Sequence, residues 1–264
     1  MIRQYFHTTN LWVLYAIAMG VFLLVVEIGF LLGRRIQSRS DDKSTSQTST
    51  IQAALLAMLG LLLAFSFSMV LARFDAREEL VVNESLAIET TFLRSDFLPE
   101  PNRTAVTSLL RRYADAKIEF YSLAYDESKI RQINEKITEL QKQLWSQALA
   151  AGNLDQVTLK YNLLIQSLSD MFDFHGRGVA AMGRRIPDEV FNLLYFVSAL
   201  ALGLTGYAAG LTGRRQRIQW LILSVAIASI IMLIVDMDRP RRTNIKVSQQ
   251  SLFELRDRLP KTVP

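Results

Sequence analysis

The stretch IQAALLAMLGLLLAFSFSMVLARFDAREELVVNESLAIETTFLRSDF, Ile51–Phe97, decides how this chain folds. Its first 22 residues, Ile51–Ala72, carry no charge, whereas the remainder mixes charged and apolar side chains. One glycine, Gly60, and no proline interrupt it before the Leu98–Pro99–Glu100–Pro101 punctuation. Nothing therefore removes an amide donor or demands a positive φ where the composition changes. The pattern predicts one helix that begins as a membrane span and continues into water. Its 47 residues, at about 1.5 Å each, make a rod of roughly 70 Å, about twice the hydrocarbon thickness of a bilayer.

Three further apolar blocks flank this rod. Leu11–Leu32 is broken only by Glu27; it exceeds a signal-peptide core and no small-x-small cleavage site follows, so it reads as a retained first span. Residues 33–50, GRRIQSRSDDKSTSQTST, are Ser/Thr-rich and aperiodic and read as a mobile connector to the second span, Ile51–Ala72. Phe191–Leu211 is the third span, with Ala199, Gly203, Gly206 and Gly210 spaced to let another helix approach closely. Ile218–Val235, 18 residues, is the fourth, just long enough to cross. The two pairs of spans occupy 11–72 and 190–238, and residues 239–264 form a basic, amphipathic tail.

Residues 73–189 read as a soluble helical bundle. Asn102 is a candidate N-cap for a helix with apolar positions Val106, Leu109, Tyr113, Ala116, Phe120 and Leu123. Ile130, Ile133, Ile137, Leu140 and Leu144 form a heptad stripe among Glu and Lys, ended by Gly152–Asn153. Val157, Tyr161, Leu164, Leu168, Met171 and His175 continue the same spacing, and Gly176, Gly178 and Gly183 loosen the chain before Pro187. No segment shows the period-two pattern of a strand. The fold class is all-α: four transmembrane helices, with a helical bundle inserted between the second and third.

Half of the 264 residues are hydrophobic and 21% are charged, a combination explained by segregation into blocks. The absence of cysteine excludes disulfides, thiolate metal sites and cysteine nucleophiles. A net charge of +5 without basic patches interleaved with aromatics speaks for arginines flanking spans and membrane lipids, not for nucleic acid. Four spans put both termini and the bundle on one face. Arg3, Arg73, Arg77, Arg184, Arg185, Arg239, Arg241 and Arg242 lie near spans there, against Arg34, Arg35, Arg39, Lys43, Arg214, Arg215 and Arg217 opposite. That near balance is compatible with a cytoplasmic bundle.

The sequence holds no phosphate loop, HExxH or Walker motif, and the chain reads as no enzyme, with no cofactor. His175 falls on the apolar stripe and reads as a packed, hydrogen-bonded residue, and His7 stands near the terminus. Asp236 and Asp238 read as the carboxylate end of a helix beside Arg239, and Glu27 as an acid near the membrane interface. The better candidate is a pore face on the second span. Ser66, Arg73 and Arg77 share one side within about 60°, with Met69 and Val70 between them. Guanidinium rings favour anions, although the same arginines also fit snorkelling at the bilayer edge. Phe65 and Phe67 point to different faces, so at most one lines a pore.

The runs Leu59–Arg103 (LGLLLAFSFSMVLARFDAREELVVNESLAIETTFLRSDFLPEPNR), Leu109–Ile118 (LLRRYADAKI) and Asp236–Leu252 (DMDRPRRTNIKVSQQSL) resemble the bestrophin-like family of bacterial membrane proteins. The resemblance spans about residues 51–252. It implies kinship with true bestrophins, pentameric anion channels lined by the second span. On that analogy the chain is a homo-oligomer conducting anions such as chloride, with Phe65, Ser66, Met69, Arg73 and Arg77 lining the pore and Phe65 or Met69 at its constriction. The acidic calcium-binding run of animal bestrophins has no counterpart beyond Asp236 and Asp238, so no metal is implied. The rival reading is a non-conducting scaffold that binds a partner through its bundle.

Overall fold

The computed structural model describes residues 11–37, 42–123, 126–152, 159–239 and 247–259. Arg3, His7, Arg39, Asn153, Val157, Arg241 and Arg242 lie outside them. Among the described residues the chain is helical apart from short connections, without strands. The helices are α1 (Leu11–Ile36), α2 (Asp42–Ser95), α3 (Asn102–Ser122), α4 (Glu127–Gly152), α5 (Leu159–Gly183), α6 (Asp188–Thr212), α7 (Arg217–Asp238) and α8 (Gln250–Arg258). Among the described residues four stretches are long and apolar enough to cross a membrane: Leu11–Ile36, Thr45–Ser95, Leu159–Thr212 and Arg217–Asp238.

The long rod is one helix, as its lack of breakers predicts, and it is longer than expected. α2 starts at Asp42, so most of the expected mobile connector is helix, split between the ends of α1 and α2. Serine, threonine and glutamine cost only a few tenths of a kcal/mol each in a helix, too little to stop one already nucleated by an apolar span. Gly176 and Gly178 likewise fail to break α5, which continues to Gly183.

The chain divides into two compact units. The first comprises Met1–Ala72 and Arg185–Arg239. Here α1 packs on α6 through glycines: a methyl placed on Gly29 would strike the Gly203 carbonyl, and one on Gly206 would strike that of Val26. Gly33 and Gly210 approach one another in the same way. Without a hydrophobic drive between helices in lipid, close backbone approach supplies the dispersion contacts that hold such a pair. Gly213 ends α6 at φ 71°, a left-handed conformation natural to glycine. α7 adds Trp220, whose ring lies 5.4 Å from that of Phe30.

The second unit comprises Arg73–Arg184 and Pro240–Pro264. Its core joins Val81 and Ile88 of α2 to Val106, Leu110, Tyr113 and Phe120 of α3, Ile137, Leu140 and Leu144 of α4, and Leu164, Leu168 and Met171 of α5. Leu252 and Leu255 of α8, and Leu259 beyond it, belong to the same core. Asn102 is the first residue of α3 and not its cap; its amide donates to the Gln147 carbonyl and side chain at 3.3 and 3.1 Å. The Glu100 carboxylate takes the capping role, accepting from the Thr104 amide and hydroxyl at 3.3 and 2.7 Å.

Candidate functional site

Two faces of α2 have opposite fates. Leu59, Leu63, Ser66, Val70, Arg77, Val81, Glu84, Ile88, Thr91 and Ser95 are all buried. Their spacings of three, four and seven residues, at about 100° per residue, define one side of the helix. Met58, Leu61, Phe65, Ser68, Ala72, Asp75 and Glu79 fall on the other side, and all are exposed. The five residues read from sequence as one lining set are therefore split. Phe65 is 64% and Met69 41% exposed, whereas Ser66 is 5% and Arg77 3% exposed. Arg73 is half-buried at the edge between the faces. The Arg77 guanidinium donates to the carbonyls of Ala181, at 3.4 Å, and Arg184, at 3.1 Å, tying α2 to the end of α5.

The inward face also carries a group that the sequence reading did not assemble. Glu84 of α2 and Lys117 of α3 form an ion pair at 2.8 Å, with both side chains fully buried. The Lys117 ammonium donates to Nδ1 of His175 on α5 at 2.9 Å, and stands 4.8 Å from the ring centres of Phe120 and Tyr121. The hydroxyls of Tyr113 and Tyr121 donate to the two Glu84 oxygens at 3.3 and 3.1 Å. Burial, and then the Lys117 charge, push the His175 imidazole down to about 3, so it is neutral at any ordinary pH. Burial and the Glu84 charge hold the Tyr113 hydroxyl well above the ordinary phenol range. His175 is thus packed and hydrogen-bonded, as its place on the stripe suggests. Lys117 and Glu84 left a fainter signal, ionisable residues in phase with apolar stripes.

The other acids have structural partners. Glu27 of α1 pairs with Arg215 in the turn after α6, and that guanidinium lies over the Phe30 ring at 4.9 Å. Asp236 and Asp238 end α7 and are buried, and Asp238 accepts the Ile186 amide at 3.0 Å. Among the described residues no group of acids and histidines has the makings of a metal site.

Comparison with known proteins follows the same architecture. Residues 20–252 match the family model described as a Bestrophin-like domain. A variant of a bacterial bestrophin homologue from Klebsiella pneumoniae superposes with a TM-score of 0.66 at 14% identity, covering 92% of this chain and 98% of that one. Another structure of the Klebsiella pneumoniae homologue gives 0.61 at 14% identity, covering 93% and 99%. A structure described as a membrane protein gives 0.66 at 14%, covering 92% and 95%. At such identities the likeness speaks for the fold. No curated protein matches the chain.

Proposed function

The chain belongs to the bestrophin-like family of membrane proteins, and on that premise we propose that it assembles as a homo-oligomer whose α2 helices line a pore for passive ion flow. One observation carries the reading. The face of α2 bearing Met58, Leu61, Phe65, Ser68 and Ala72 is uncovered by the other described residues, while the opposite face packs inward. In a ring of subunits, Met58, Leu61 and Phe65 would form an apolar constriction, and Ser68 and Ala72 would widen it. On this reading the protein crosses the bacterial inner membrane several times, with the bundle and both termini in the cytoplasm.

Ion charge follows from the same face. Asp75 and Glu79 lie on it, whereas Arg77 is turned inward and engaged by backbone carbonyls. Rings of carboxylate favour cations, so the geometry supports cation flow better than the anion flow expected from Arg73 and Arg77. Anion conduction is the second reading, supported by the partly exposed Arg73.

The test is the reversal potential of the purified oligomer in bilayers under a KCl gradient. A potential toward that of potassium, lost in Asp75→Asn/Glu79→Gln, is expected. A potential toward that of chloride, lost in Arg73→Glu, selects the anion reading. No current from a folded, oligomeric preparation refutes conduction and leaves the scaffold that works through its helical bundle.

A further inference from the structure

An ammonium has three hydrogens and no lone pair, so at 2.9 Å from Lys117 the Nδ1 of His175 is the acceptor. The imidazole is then neutral, with its hydrogen on Nε2. A proton added at Nδ1 would replace that acceptor by a second cation facing the first, in a site where Lys117 and Glu84 are fully buried. We propose that Glu84, Lys117 and His175 form a proton-operated latch, closed across α2, α3 and α5 while His175 is neutral and released when it takes up a proton. The latch stands on this geometry. Its consequence for ion flow rests on the channel reading, because α2 also carries the proposed lining face.

The surroundings offer the imidazolium no easy counter-charge. From α2 comes Glu84, whose oxygens are already engaged, Oε1 by Lys117 and Tyr113 and Oε2 by Tyr121. From α3 come Lys117 and the two tyrosine hydroxyls, and from α4 comes Gln141, whose amide donates to the Tyr113 hydroxyl at 3.5 Å. Turning Glu84 toward His175 would strand Lys117 in the core. Release instead exposes the imidazole to water, where it titrates normally.

The sign of the linkage is fixed by these two environments. In the closed form the imidazole is depressed to about 3, against about 6.5 for a solvated one. The closed form is therefore at full strength above the solvated value and weakens as pH falls toward the depressed one. From pH 7.5 to pH 5 the released population rises about 30-fold.

The experiment uses the full-length oligomer in liposomes. The chain has two histidines, so His7→Ala leaves His175 as the sole imidazole for nitrogen NMR. At pH 7.5 the hydrogen is expected on Nε2; a protonated Nδ1 overturns the latch without any change to its members. Hydrogen exchange, corrected for its intrinsic pH dependence, should show amides of α3, α5 and the facing part of α2 losing about 30-fold protection at pH 5. His175→Asn, whose amide oxygen can accept from Lys117 without titrating, should keep that protection. Equal losses in both proteins, or no loss in the wild type, overturn the proposal. Ion flux measured on the same vesicles should change with pH in the wild type only. A pH-dependent latch with no flux at either pH upholds the proposal and sinks the channel reading.

Discussion

Replacing Lys117 by Met removes an ammonium of similar length and leaves the Glu84 carboxylate in a site with no exposure. Two tyrosine hydroxyls still donate to it, but no cation of the pair balances it. Breaking a buried pair on one side costs about 3–5 kcal/mol, mostly because the remaining charge is stranded. Glu84→Gln should cost a similar amount by stranding the lysine. The double variant Glu84→Gln/Lys117→Met restores neutrality and approximate volume, so it should cost less than either single change. For a unit of this size the single variants should melt roughly 10–20 °C below wild type. Of the three tryptophans, Trp145 packs on Phe172 within this unit, with ring centres 6.3 Å apart. Trp12→Phe/Trp220→Phe makes it the sole fluorescence reporter of thermal unfolding in detergent. Single losses of only a few degrees, or a double loss equal to the sum of the singles, would refute the assignment of Lys117 and Glu84 as mutually dependent charges.

The two faces of α2 should answer differently to truncation. Phe65→Ala should leave thermal stability within about 0.5 kcal/mol of wild type, as for an exposed site, while raising ion flux if the stripe lines a pore. Arg77→Met should lower the melting temperature by leaving the Ala181 and Arg184 carbonyls without its hydrogen bonds, worth about 1–3 kcal/mol, and should leave reversal potential unchanged if Arg77 faces no ion path. Gly206→Leu should destabilise the first unit by about 1–3 kcal/mol or more, because its side chain must displace the Val26 backbone; heat-induced exposure of Trp220 would report it. Leu255→Ala should cost about 2–5 kcal/mol through loss of a core side chain, measured by Trp145 fluorescence.

Much of the fold was legible because membrane spans and heptads write themselves in composition. The glycines of the third span do admit another helix closely, and that helix is α1, with Gly29 and Gly33 facing them. Of the bundle stripes, Ile133, Ile137, Leu140, Leu144, Leu164, Leu168, Met171 and His175 are buried, Ile130 and Tyr161 are half-buried, and Val157 lies outside the described residues. The orientation of α2 was not legible. In an apolar span every side carries Leu, Val or Phe, so phase shows which residues share a face but not which face turns inward. Ser66 and Arg77 share a phase and lie on the face of α2 that packs inward, whereas Phe65 lies on the exposed face. The Glu84–Lys117–His175 relay eluded the sequence for a related reason. Its members are 33 and 58 residues apart along the chain and meet only when three helices pack. Within the tail, the burial of α8 against the bundle depends on Leu252 and Leu255 joining a core built by helices far earlier in the chain, which no local pattern announces.

That last feature constrains the order of events during biosynthesis. The second unit draws on Arg73–Arg184 and on Pro240–Pro264, with the whole α6–α7 hairpin between them. A ribosome therefore finishes the bundle's first four helical segments well before it makes the leucines that close their core. Arg111, which donates to the carbonyls of Arg256 and Leu259 at 3.4 and 2.6 Å, waits through the same interval. Until α8 arrives, the nascent bundle exposes an unfilled apolar groove, and α8 is made only after both later spans. Completion of the second unit thus reports that synthesis of the α6–α7 hairpin has ended. A chain cut short after α7 would keep its spans and still present the signature that quality-control proteases recognise.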